Sequence, residues 1–282
     1  MDKKKSLSII NTYHLVFQAL RSQPKLFIPY ICFVLVELAV LFLLYVAPRH
    51  PFNVVLAPPI KAFFGEAFLH YPTNFLLLPK LSSLSRNFLS CILGALMTGF
   101  AVLMVSDAYN QKTVRPTVSL KSAFKKYFSL FTIVLVITGL FFGLLKLVEM
   151  GFSSLLFLKP KAWLGPVVIA INILVVLLIQ GLFAYSIPLL VLENNKVFQA
   201  MGRSLGLFFK LFLPTVVLIG LPLLTYIPII VLQYNTPLLI SKVFPEAVLY
   251  VCILAAVLNS FVIDLLITVS TTVLFLQNRD SK

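Results

Sequence analysis

Residues 26–46 read LFIPYICFVLVELAVLFLLYV, 21 positions interrupted by one charge, Glu37. Wound as a helix, an apolar run of about 20 residues matches the roughly 30 Å hydrocarbon core of a bilayer. A helix is also the form in which such a run satisfies its own backbone polar groups in lipid. Five more stretches share this character, at residues 86–106, 128–150, 166–192, 211–232 and 247–276. The expected fold is an all-α polytopic transmembrane bundle of six spans, one integral membrane domain over residues 1–282. The last stretch is longer than one crossing requires, so it is expected to tilt or run past the bilayer.

The composition agrees. Of 282 residues 60% are apolar and 11% charged, with a mean hydropathy of +1.02. A soluble domain is nearer half apolar and a quarter charged, so there is more apolar surface than one aqueous core buries. An ordinary soluble enzyme and a disordered or collagen-like chain are both excluded.

The net charge of +14 is read first as topology. Lys3, Lys4, Lys5, Arg21, Lys25, Lys112, Arg115, Lys121, Lys125, Lys126, Lys196, Arg203, Lys210, Arg279 and Lys282 fall on one side of the expected membrane, 15 in all. Arg49, Lys61, Lys80, Lys159, Lys161 and Lys242 make 6 on the other, with Arg86 and Lys146 at span ends. The bias places both termini in the cytoplasm and the protein in the cytoplasmic (inner) membrane. Its expected partners are the bilayer itself and the anionic headgroups of the cytoplasmic face, which attract basic residues by about 1 kcal/mol each, together with another membrane protein. Nucleic acid is not an expected partner, because the basic residues are scattered over short segments without a nucleic-acid-binding fold. The basic start Met1–Lys5 is followed by a polar, amphipathic stretch and no small-residue cleavage site, so it is not read as a removed signal. Cys32, Cys91 and Cys252 fall within expected spans and read as small apolar residues.

Before the first span, Ile9, Ile10, Tyr13, Val16, Phe17 and Leu20 recur at helical spacing opposite Asn11, His14, Gln18 and Arg21. This is an amphipathic helix suited to the cytoplasmic interface. Similar segments precede the third span (residues 120–127) and the fifth (residues 197–209). Aligned on Ala19, Ala123 and Ala200, each has a Leu-Phe pair seven residues later, at Leu26-Phe27, Leu130-Phe131 and Leu207-Phe208. The expected architecture is three repeats of interfacial helix plus transmembrane hairpin, at residues 6–106, 119–192 and 196–276. The first carries a long outer loop, residues 47–85, rich in proline yet apolar in places, which is expected to lie on the outer leaflet or cap the bundle, with a substrate lid as the alternative.

Pro188-Leu189-Leu190-Val191-Leu192-Glu193 and then Gln199-Ala200-Met201-Gly202-Arg203-Ser204 resemble a pattern found in a superfamily of prokaryotic membrane proteins. That superfamily includes the membrane domain attached to some glycerophosphoryl diester phosphodiesterases. The resemblance implies a six-helix bundle built of such units. It brings no diesterase activity, since the chain has no soluble segment long enough for the catalytic barrel. In physical terms Pro188 loosens the end of the fourth helix, Glu193 with Asn194-Asn195 makes a polar turn, and Arg203 and Ser204 lie on a basic interfacial helix.

Charges inside spans are the usual functional pointers. Glu37 lies 11 residues from the cytoplasmic start of the first span and Asp264 lies 12 from the cytoplasmic end of the sixth. At 1.5 Å per residue both sit about 17 Å deep. If their helices are neighbours the acids face each other, with Asn259, Ser260, Thr268 and Ser270-Thr271-Thr272 as nearby polar groups. They form either a proton- or cation-coupled site or a pair of satisfied packing residues. No Lys or Arg is deep enough to partner them, because Arg86 and Lys146 belong to span ends and Lys146 pairs locally with Glu149. Pro214, Gly220, Pro222 and Pro228 predict a kinked or discontinuous fifth helix. Gly139 with Gly143, and Ala95 with Gly99, are small-residue pairs expected to permit close helix packing.

Catalytic patterns are missing: no HExxH, paired-cysteine, GxSxG or phosphate-loop motif occurs, and His14, His50 and His70 are the only histidines. His50 and His70 share the outer loop with Glu66, where a loop role outweighs a metal site. No cofactor and no metal are expected. The expected function is a non-enzymatic scaffold or accessory subunit acting on lipid or another membrane protein. The alternative is a small-solute or lipid transporter using the intramembrane acids.

Overall fold

The computed structural model describes residues 9–158 and 164–281. Lys3, Lys4, Lys5, Lys159, Lys161 and Lys282 of the charge pattern lie outside them, as does the start of the first expected repeat. In chain order the helices are α1 (Ile9–Ser22), α2 (Ile28–Val46), α3 (Asn53–Phe64), α4 (Asn74–Leu89) and α5 (Ala95–Tyr109). Then come α6 (Pro116–Lys125), α7 (Tyr127–Leu158), α8 (Leu164–Phe183), α9 (Ser186–Leu192) and α10 (Val197–Lys210). The chain closes with α11 (Phe212–Leu224), α12 (Ile227–Tyr234), α13 (Thr236–Lys242), α14 (Ala247–Leu258) and α15 (Leu265–Asp280). Wide π-turns at Ser90–Gly94 and Asn259–Asp264 join α4 to α5 and α14 to α15 without ending the helix. The chain is an all-α multi-pass membrane bundle. Among the described residues five helical segments are long and apolar enough to cross a bilayer: Pro24–Val46, Asn74–Tyr109, Tyr127–Phe152, Val167–Leu192 and Ala247–Asp280. A sixth arises if α10 and α11, bent by 97° at Leu211, are taken as one broken span.

Two expectations are corrected. Residues 47–85 are not a loop: they form α3, a short 3-10 turn at Glu66–Leu69 and the first turns of α4. Pro58 and Pro59 fall inside α3. The second span therefore begins at Asn74 rather than Arg86, and Arg86 lies inside a 36-residue helical segment. The fifth span does break. Pro228 has no N–H for the carbonyl of Leu224, and the chain closes instead through Thr225 N–H to Pro222 O (3.1 Å) and Tyr226 N–H to Leu223 O (3.0 Å).

The chain forms two compact units whose limits run across the expected repeats. The first takes the N-terminus to Leu26, Ala95–Leu221 and Leu266 onward. Its core gathers Leu130 and Ile133 of α7, Tyr185, Leu189 and Leu190 at α9, Leu218 of α11 and Leu274–Leu276 of α15. The three short helices α1, α6 and α10 belong to it. Each buries a narrow stripe: Thr12, Val16 and Leu20; Ser119 and Ala123; Ala200, Met201, Ser204 and Phe208. Each leaves aromatic surface uncovered, at Phe17, Phe124, Phe198 and Phe209. The Thr12 hydroxyl donates to Gln277 Oε1 (3.0 Å) and Lys210 Nζ to Asn278 Oδ1 (3.1 Å), tying α1 and α10 to the end of α15.

Glycine matters where helices approach closely. A Cβ on Gly99 would come within 2.6 Å of Leu130, and one on Gly181 within 2.7 Å of the Phe208 ring. Ala95, beside Gly99 on the same face, is fully buried. Gly139 and Gly143 behave otherwise: a Cβ on either meets nothing within 4 Å, so that pair is not where the chain packs on itself. The cause is that α7 turns its middle outward, with Leu135, Leu140 and Phe142 exposed.

The second unit comprises Phe27–Gly94 and Pro222–Leu265. Leu41, Phe75, Leu78, Val248 and Cys252 form its core, bringing α2, α4 and α14 together. Cys32, by contrast, is exposed.

Candidate functional site

The second unit holds the charged group that the sequence half disclosed. Glu37 on α2, Arg86 on α4 and Asp264 at the end of the α14–α15 π-turn meet. Arg86 Nη1 donates to Glu37 Oε2 at 2.5 Å, and Nη2 donates to Asp264 Oδ2 at 2.6 Å. One guanidinium thus fixes three helical segments, a task for which its planar fork is suited. The expectation that no basic residue reaches the acids is wrong, and the reason is the extra helix before Arg86. About three turns of α4 that read as outer loop carry the arginine into the span.

The environment is graded. Glu37 is 5% exposed and Arg86 16%, whereas the Asp264 side chain is 42% exposed. The Arg86 guanidinium also lies 5.6 Å from the centre of the Phe33 ring, one turn before Glu37, in cation–π range. Tyr226, at the break between α11 and α12, interacts with the side chains of Asn259 and Gln233 and lies within the field of Arg86 and Glu37. Asn259, a sequence candidate, is thereby placed one residue removed from the triad. Beside it Ser260 is fully buried, with no hydrogen-bond partner for its hydroxyl.

Both π-turns flank this group. Ser90–Gly94 begins four residues after Arg86, and Asn259–Asp264 ends on the acid itself. A π-turn widens the helix and shifts the register of the side chains that follow, a distortion concentrated at functional positions. In formal charge the triad is two carboxylates and one guanidinium, −1 in sum. Chemically it can hold three helices, and it can accept one proton or small cation without losing the arginine.

The motif at residues 188–204 forms a second cluster, within the first unit. Glu193 Oε2 accepts from Arg203 Nη1 at 2.6 Å. Ser204 donates to Leu182 O (2.8 Å) and accepts from the Tyr185 N–H (3.2 Å), satisfying backbone groups released where α8 breaks into α9. The Tyr185 hydroxyl bonds to Thr215 Oγ1 at 2.5 Å. Lys126, unremarked among the basic residues, caps the C-terminus of α9: its ammonium donates to Val191 O (2.8 Å), to Leu190 O (3.4 Å) and to Asn194 Oδ1. Asn194 takes φ +56°, the left-handed conformation usual after a helix end. Burial pulls the Lys126 ammonium below its ordinary pKa. Ser204 and Lys126 close helix ends in this cluster, which is a structural task.

Elsewhere, Lys146 pairs with Glu149 at 2.8 Å and Glu66 with Lys61 at 2.9 Å. Among the described residues no three of His, Cys, Asp and Glu gather into a metal-sized group. Comparison with family models, curated proteins and solved structures finds no match to this chain.

Proposed function

We propose that this is a protein of the cytoplasmic membrane, both termini in the cytoplasm, that works without catalysis as a scaffold or accessory subunit on lipid or on another membrane protein. One observation carries the proposal. Three short helices, α1, α6 and α10, each pack a narrow stripe into the first unit and leave phenylalanines uncovered, beside Arg21, Lys121, Lys125 and Arg203. Exposed aromatic surface next to basic side chains suits the headgroup layer of an anionic leaflet. The pairing of both acids with Arg86 suits a packing role.

A second function, ion- or proton-coupled transport of a small solute or lipid, is favoured by the unbalanced charge of the triad and by the exposure of Asp264. Proteoliposomes carrying a pH-sensitive dye discriminate the two. Under an imposed proton gradient the wild-type chain is expected to leak no faster than empty vesicles, and native mass spectrometry of nanodisc samples is expected to show retained anionic lipid. Wild-type flux that disappears in Glu37→Gln and Asp264→Asn would overturn the scaffold proposal in favour of transport.

A further inference from the structure

The first unit contains a cleft of about 220 Å³ that neither the triad nor the interfacial helices explain. Its polar wall is Gln180 of α8 with Thr98 of α5 and Thr268, Thr271 and Thr272 of α15, and Val102 and Phe183 stand on its apolar side. Two of the hydroxyl protons are already committed. Thr271 donates to Ile267 O (2.7 Å) and Thr272 to Thr268 O (2.7 Å), so toward the cleft both oxygens offer lone pairs. Gln180 Oε1 is buried and has no hydrogen-bond partner. Ala184 and Pro188 also line the cleft. Pro188 has no N–H for the Ala184 carbonyl four residues earlier, which adds an acceptor at the break between α8 and α9.

The cleft therefore presents acceptor oxygens, and no Asp, Glu, Lys, Arg, His, Tyr or Cys is among its described lining residues. An unpaired buried amide oxygen is costly in low dielectric, so its complement is a donor. A full cation finds no counter-charge here. A phosphate carries negative charge, and no Lys, Arg or His is among the cleft's described lining residues to meet it. What remains is a neutral O–H, and the apolar wall has room for the hydrocarbon attached to it. Thr271 lies nine residues before Asp280, the end of α15, or about 13 Å along the helix, a depth at which a lipid's uncharged hydroxyl arrives without crossing the bilayer.

We infer that this cleft binds the hydroxyl end of a neutral lipid of the diacylglycerol type, its O–H donating to Gln180 Oε1 and the threonine oxygens. The inference concerns the first unit alone and stands whether or not the triad moves protons. The test uses the full chain in nanodiscs and a diacylglycerol with a photoreactive group near the glycerol. Label is expected on residues of α8, α9 and α15. Excess unlabelled diacylglycerol is expected to suppress it, while triacylglycerol, whose hydroxyl is acylated, and phosphatidic acid do not. Gln180→Leu and Thr271→Val are each expected to weaken labelling about fivefold, the worth of one hydrogen bond, and Thr271→Ser to retain it. Equal labelling of all variants, or equal competition by triacylglycerol or phosphatidic acid, overturns the assignment. If Gln180→Leu does not purify as a single species, the Thr271→Val against Thr271→Ser comparison decides alone.

Discussion

Removing the Arg86 charge is expected to destabilise the second unit more than removing either acid. In Arg86→Met the apolar length of the side chain survives, but Glu37, 5% exposed, is left as a buried carboxylate without its partner. Breaking a buried pair from one side costs about 3–5 kcal/mol. Glu37→Gln leaves Arg86 paired only with the more exposed Asp264, at an expected cost of about 2–3 kcal/mol. Asp264→Asn is expected to cost less than Arg86→Met, because its loss leaves one acid facing one base, Glu37 with Arg86. The assay is reversible unfolding in detergent micelles, followed by helix content. The decisive measurement is the cycle. Placed in a Glu37→Gln, Asp264→Asn background, Arg86→Met removes a charge that no longer has a partner, and its cost is expected to fall by at least about 2 kcal/mol. If Arg86→Met costs the same in both backgrounds, the three groups do not act as a unit. If Asp264→Asn costs as much as Arg86→Met, the arginine is not the shared partner of the two acids.

Other consequences can be measured separately. Gly99→Ala and Gly181→Ala drive a methyl against Leu130 and Phe208 and are expected to cost about 1–3 kcal/mol by thermal denaturation, whereas Gly139→Ala and Gly143→Ala, which meet nothing, stay within about 0.5 kcal/mol. Lys126→Met uncaps α9 and is expected to lose about 1–3 kcal/mol, a deficit that Glu193→Gln, on the other side of the same turn, does not reproduce. Outside the spans, the hydrogen bond and charge of Lys61 hold the Glu66 carboxyl below its ordinary pKa. Its contribution is therefore present above the usual carboxylate range and lost as pH falls through the depressed value. Lys61→Met is expected to return the Glu66 midpoint upward in an NMR titration, and an unchanged midpoint refutes the contact.

Glu37 and Asp264 were legible because each interrupts a long apolar run, and their matching depths followed from counting residues along helices. Arg86 was not, because hydropathy marks where a helix becomes apolar and not where it begins. Residues 79–86 read PKLSSLSR, polar enough to pass for a loop. The signal lay in the other periodicity: Phe75 and Leu78 recur at helical spacing after the Pro72-Thr73 turn, and both are buried. Similarly, the GxxxG at Gly139 was visible while its face was not, since small residues permit an approach that only tertiary context supplies.

The misplacement of Arg86 bears directly on function. With two acids at the midplane and no base, the only ways to keep both in lipid are protonation or a bound cation, and a coupled transporter follows almost by default. Adding the arginine changes what must be explained, from two uncompensated charges to one. That single surplus negative charge is shared by Glu37 and Asp264, which one guanidinium holds together. The Glu37–Arg86 pair alone clamps α2 to α4; Asp264 brings in the third segment and, with it, the surplus charge. Asp264→Asn removes that surplus and leaves the Glu37–Arg86 pair, so it is the substitution in which a transport role and a packing role give opposite results.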